Sequence, residues 1–104
     1  VKSAKQHLQA ARKLIARPEA WTRGTYGRGP DRKAARIGTD EISCWCLIGA
    51  IKAVDPDNSE EAMEWLRLTL RYEYGDFISI SHFNDTHSHQ EILAALDRAI
   101  EATN

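Results

Sequence analysis

The sequence predicts a mainly α protein: an irregular four-helix bundle around a central apolar helix, with a long basic loop and a short β segment, all in one domain spanning residues 1–104. Three observations predict it. Apolar residues recur at three- and four-residue steps in three separate stretches, which is the spacing of one helix face. A fourth stretch, Cys44-Trp45-Cys46-Leu47-Ile48-Gly49-Ala50-Ile51, is apolar on both helical stripes and so has to be covered on all sides. Serines and aspartates that can cap a helix stand ahead of these stretches.

Taken in order, Ser3 with Gln6 forms a capping box, and Ala4, Leu8, Ala11, Leu14 and Ile15 share a face, predicting a helix over residues 3–16 that Pro18 ends. From Pro18 to Gly38 periodicity gives way to turn signals, with Trp21 expected to pin the start of the loop to the core. The central helix is expected over 40–54, capped by Thr39 or Asp40 and stopped at Asp55-Pro56. A strand is the rival reading of its Cys- and Ile-rich part. Gly49 in mid-helix costs about 1 kcal/mol against alanine, so a close backbone or ring is expected against it.

Asp57 with Glu60 reads as another capping box, and Ala62, Met63, Trp65, Leu66, Leu68, Leu70 and Tyr72 predict a third helix over 58–73. The acidic cluster Glu60, Glu61, Glu64 suits its positive end and reads as a solvated face. Phe77-Ile78-Ser79-Ile80-Ser81 alternates as a strand does. Ser88 with Glu91 then opens a last helix over 89–102, its face formed by Ile92, Leu93, Leu96, Ala99 and Ile100.

Charge divides the chain. Residues 1–36 hold ten Lys and Arg against Glu19 and Asp31, a balance of +8, and residues 37–104 hold four against thirteen, a balance of −9. Such asymmetry points to an acidic partner or to neutralisation within the fold. The basic segment Arg23-Gly24-Thr25-Tyr26-Gly27-Arg28-Gly29, followed by Arg32, Lys33 and Arg36, combines guanidinium groups for phosphate, glycines for close approach and Tyr26 for stacking. Nucleic acid or an acidic protein is the partner expected there; a solvated, turn-rich loop is the competing reading. The first residues lack the apolar run of a signal peptide, and the central stretch is far shorter than the about 20 residues a membrane span needs. With two cysteines too few for a disulfide framework, the expectation is a cytoplasmic protein with no membrane association.

Trp21 with Gly24, then Cys46-Leu47-Ile48-Gly49-Ala50, then Phe83-Asn84-Asp85 ahead of a helix beginning Glu91-Ile92, resembles a family of short bacterial and phage proteins of unknown function. The family pattern is W-x-x-G, C-L-x-G-A and W-N-D, and the resemblance runs from residue 8 to 100. Phe83 departs from it where tryptophan is usual. The resemblance implies a common fold and a candidate pocket that gathers Trp21, Cys46, Asn84 and Asp85; it supplies no activity.

Read on their own residues, these positions leave alternatives open. Cys46 or Cys44 with His82, His87 or His89 and an orienting Asn or Asp is the parts list of a thiol enzyme. A central-helix Cys46 would fall in the second turn among apolar neighbours, where a cysteine is inert packing. The same cysteines and histidines meet the ligand count for zinc, but from a helix Cys44 and Cys46 leave on nearly opposite faces, so no metal or other cofactor is expected. Asn84-Asp85 can simply fix the turn into the last helix. The reading favoured is a small, non-enzymatic binding or regulatory protein with Arg23, Tyr26, Arg28, Arg32, Lys33 and Arg36 as its partner surface, the thiol enzyme as alternative, and homo-oligomerisation left open.

Overall fold

The computed structural model describes residues 2–39 and 41–104. Five helices form among them: α1 Ala4–Leu14, α2 Leu47–Val54, α3 Glu60–Tyr74, α4 Ile80–Thr86 and α5 His89–Ala102. A short 3-10 turn, Pro18–Ala20, follows α1, and two two-residue strands, β1 Gly27–Arg28 and β2 Cys44–Trp45, pair antiparallel. The fold is therefore mainly helical, with five helices where four are predicted.

The first and last helices follow their local signals. Ser3 caps α1 and Ser88 caps α5, each in a capping box in which Gln6 or Glu91 returns a bond to the cap's own N–H. Leu8, Ala11 and Ile15 from α1, Leu47, Ala50 and Ile51 from α2, Leu66 and Leu70 from α3, Phe83 from α4, and Ile92 and Leu96 from α5 are buried in one core cluster. Two imidazoles reinforce it. His7 Nε2–H donates to the Ile51 carbonyl at 2.7 Å, tying α1 to α2, and His89 Nε2–H donates to the Ile15 carbonyl at 2.7 Å, satisfying the free end of α1. A carbonyl can only accept, so each of these nitrogens carries its proton.

The central helix begins later than predicted. Residues 44–45 are strand because their backbone is taken by the basic loop: Ser43 N–H donates to the Arg28 carbonyl at 2.8 Å and Cys46 N–H to the Tyr26 carbonyl at 3.1 Å. The cap is Cys46, whose Sγ accepts the Gly49 N–H at 3.3 Å. Thr39 does not cap it, its hydroxyl donating instead to the Arg36 carbonyl, and Asp40 lies outside the described residues. Cys44 and Cys46 thus do not leave a helix on opposite faces; one is in a strand and the other at the helix start. The apolar run is long because it crosses two elements, each buried.

Two other expectations fail locally. Phe77–Ser81 forms no strand: Ser79 caps α4 by accepting the His82 N–H at 3.1 Å, and Ile80, Phe83 and Asn84 are buried at helical spacing. Five alternating residues with no neighbouring strand cannot satisfy their backbone as a sheet, whereas a short capped helix can. The box expected at Asp57 and Glu60 is absent, since Ser59 occupies the cap position of α3 and Glu60 begins the helix.

Gly49 meets its expected close neighbour. A Cβ there would stand 1.9 Å from the Tyr26 carbonyl oxygen. Gly49→Ala would gain about 1 kcal/mol of helix propensity but forces the loop off α2, so the variant is expected to lose about 2 kcal/mol or more of unfolding free energy in a denaturant titration.

Candidate functional site

The basic loop is an ordered arm. β1 is flanked on one side by β2 and on the other by an antiparallel bridge from Arg28 to Ala34, with Ala35 N–H donating to the Gly27 carbonyl at 3.0 Å. Beyond β2, Thr22 N–H donates to the Trp45 carbonyl at 3.0 Å. The arm turns at Gly29–Lys33, where Gly29 N–H bonds the Lys33 carbonyl, Asp31 Oδ1 accepts the Lys33 N–H, and Arg32 takes a positive φ of 68°.

Its six predicted site residues divide into two groups. Arg28 braces the arm: Nε donates to Thr22 Oγ1 at 3.0 Å, Nη1 to the Arg32 carbonyl at 2.9 Å and Nη2 to the Arg23 carbonyl at 3.1 Å. Arg23 lies with its guanidinium 5.0 Å from the centre of the Trp21 ring and donates to the His87 carbonyl. Tyr26 gives its carbonyl to Cys46, while its half-exposed ring has Lys52 Nζ 5.4 Å from its centre. Arg32, Lys33 and Arg36 are exposed, and their side chains make no hydrogen bond or ion pair among the described residues.

Behind the arm, Asn84 on α4 joins three segments. Its Oδ1 accepts the Trp21 indole N–H at 2.8 Å and the Leu47 N–H at 3.1 Å; its Nδ2 donates to the Thr22 carbonyl at 3.0 Å and to Asp85 Oδ1 at 3.2 Å. Two converging donors fix which end of the amide is oxygen. Asp85 Oδ1 also accepts the Gly24 N–H at 3.0 Å. Contrary to the expectation that this pair fixes the turn into α5, both bind across the fold, because they lie inside α4 and face the arm. Trp21 is further held by the His89 ring, 5.5 Å away.

Cys46, Asn84 and Asp85 line a cavity of about 100 Å³ together with Gly24, Thr25, Tyr26, Ile48 and Ser81, while Trp21 approaches only through Asn84. Burial pushes the Cys46 thiol above its ordinary value; the Gly49 and Ile48 N–H groups oppose this, and the Asp85 carboxylate adds to the rise. No histidine lines the cavity. His87 stacks on Phe83 with ring centres 4.3 Å apart, and its Nδ1 lies 3.1 Å from the Phe83 carbonyl. Among the described residues no three of His, Cys, Asp and Glu stand close enough together to hold a metal ion.

Sequence reasoning missed Thr22, Ser81 and Lys52. Thr22 acts through its backbone and hydroxyl, and the side chains of Ser81 and Lys52 meet this region only after α4 and α2 are placed, so no local signal marks them. Asn84→Ala would orphan the Trp21 N–H, the Leu47 N–H and the Thr22 carbonyl; a loss of about 3 kcal/mol or more is expected, measured by urea unfolding followed at tryptophan fluorescence.

Among the described residues no helix is long and apolar enough to cross a membrane. No curated protein and no solved structure matches the chain. The profile of a family of unknown function, DUF6197, matches residues 1–102. A match over nearly the whole length settles the relationship: the chain belongs to the DUF6197 family, a family of unknown function.

Proposed function

We propose that the chain is a small, non-enzymatic binding module that engages an acidic partner, nucleic acid in the first instance, through the basic arm at residues 23–36. The observation that carries this reading is the division of cations within the arm. Arg28 spends all three nitrogens on holding the arm in shape, and Arg32, Lys33 and Arg36 stand exposed around the tip it braces. A pre-shaped arm loses little conformational entropy on binding, so its cations can meet phosphates without first ordering a loop. Tyr26, half exposed beside Lys52, offers a face for stacking. Two unpaired cysteines accord with a reducing, cytoplasmic setting.

Three phosphate contacts set the salt dependence. Each releases condensed counterions, so affinity for duplex DNA is expected to fall about fortyfold between about 50 and 200 mM salt. The triple variant Arg32→Glu, Lys33→Glu, Arg36→Glu is expected to weaken binding by at least about tenfold at the lower salt and to flatten that dependence. Fluorescence anisotropy with labelled duplex and single-stranded oligonucleotides reads both quantities. Binding that ignores salt, or that survives the triple variant, rejects the reading.

One observation favours thiol chemistry as a second reading: Cys46 stands at the start of α2, where the helix dipole favours a thiolate, and borders a cavity. Desolvation outweighs the helix N–H groups, however, and keeps the thiol neutral. Native Cys46 is therefore expected to react with iodoacetamide at pH 7 far more slowly than in the unfolded chain. Because its pKa is raised in the folded state, its contribution to stability is present below the ordinary value of 9.0 and is lost as pH rises past it. Rapid native labelling at pH 6, read by mass spectrometry, would transfer support to the thiol reading.

A further inference from the structure

The outward face of α3 is left uncovered and is patterned to match itself. Ala62, Met63, Leu66 and Leu70 face the core. On the opposite side Glu61, Glu64, Trp65, Leu68, Arg71 and Tyr72 lie within about 60° of Leu68 around the helix. Leu68 is 48% exposed and Tyr72 93% exposed, and with Trp65 they form one wall of a groove of about 430 Å³ whose other wall is α5, at Arg98, Glu101 and Ala102. Leu68 and Tyr72, exposed beside the half-buried Trp65, make a contiguous apolar patch of the kind that marks an interaction surface.

From the charge order along this face we infer that its occupant is α3 of a second copy of this chain, packed antiparallel about a two-fold axis at Leu68. Acidic Glu61 and Glu64 precede Leu68, and basic Arg71 follows it. In a two-fold antiparallel pair the same flank of each helix meets its counterpart, and residues whose numbers sum to about 136 face one another. Glu64 and Arg71 share one flank, so each Glu64 meets Arg71 of the second copy. Trp65 and Tyr72 share the other, so Tyr72 of each copy lies against Trp65 of its mate, inside the groove beside α5. The two Leu68 side chains meet on the axis.

The alternatives fit less well. A parallel two-fold pairing exchanges the flanks, so that Glu64 and Arg71 face Trp65 and Tyr72 of the second copy and neither charge is matched, and a uniformly acidic or basic partner satisfies only one end of the stripe. Arg67, 3.1 Å from Glu64 within the chain, steadies that carboxylate without covering it, for Glu64 remains half exposed. The stripe is also separate from the basic arm, so this inference does not depend on the proposed binding function.

Sedimentation equilibrium of the full chain over about 5–500 µM tests the pairing. The mass is expected to rise from 11.7 kDa toward twice that value. Leu68→Glu, which sets two carboxylates on the axis, is expected to raise the dissociation constant at least about a hundredfold, with helicity by circular dichroism unchanged because the site is exposed. Glu64→Arg and Arg71→Glu are each expected to weaken the dimer, and the double swap to restore it to within about threefold of the parent, since it only exchanges the two ends of the same pair. A chain that stays monomeric throughout, a dimer indifferent to Leu68→Glu, or a double swap no better than the singles would overturn the inference.

Discussion

One buried carboxamide carries the junction on which the rest of the molecule depends. Asn84 is almost fully enclosed, and both ends of its amide are used, by Trp21, Leu47, Thr22 and Asp85. Those partners come from the stretch after α1, from the first turn of α2 and from α4 itself. An apolar residue of the same size would pack there, but it would strand two N–H donors and a carbonyl away from water, each at a cost of about 1–3 kcal/mol. Specific geometry, more than added attraction, is what the amide contributes: the bonds to Trp21, Thr22 and Leu47 are made together only where the arm and the start of α2 meet at α4.

That placement explains the two features of α2 that look unfavourable in isolation. Cys46 is a weak cap compared with serine, yet the sulfur still accepts the Gly49 N–H while Asn84 takes the Leu47 N–H, so the first turn has two of its free donors met. Gly49 is a poor helix former, yet only its missing Cβ lets the Tyr26 carbonyl pass close enough to accept from Cys46. Both departures from helix preference serve the contact between helix and arm.

The sequence made legible what is local. Helices α1, α3 and α5 follow from apolar spacing, and the Ser3 and Ser88 caps from three-residue signals. The start of α2 was not legible, because Cys44 and Trp45 are held by residues about seventeen positions earlier, and apolarity reads alike in a buried strand and a buried helix. At Ile78–Ile80 the same ambiguity hid a short helix, where Ile80, Phe83 and Asn84 already carry helical spacing. At the site, the motif pattern placed Trp21, Cys46, Asn84 and Asp85 in one region, but their roles are set by hydrogen bonds between α4 and the arm, which no spacing within either segment encodes. Arg28 shows the limit most clearly: in sequence it is one of six similar cations, and only the turn at Gly29–Lys33 makes it a brace.

The residues that give the chain its pattern are thus turned inward, with their polar groups already partnered. The Trp21 indole N–H and both ends of the Asn84 amide are committed to bonds within the fold, and the cavity beside them is small, about 100 Å³, with no histidine in its lining. What the chain displays outside this junction includes a cationic tip held out by Arg28 and an amphipathic stripe on α3, separate in sequence and in charge character. The +8 and −9 halves of the chain do meet, through Arg12 with Asp97 and Arg23 with the end of α4, but those contacts use only part of the basic set. Among the described residues, the cations this leaves without an acidic partner include Arg32, Lys33 and Arg36 in the arm and Lys2 and Lys13 at α1.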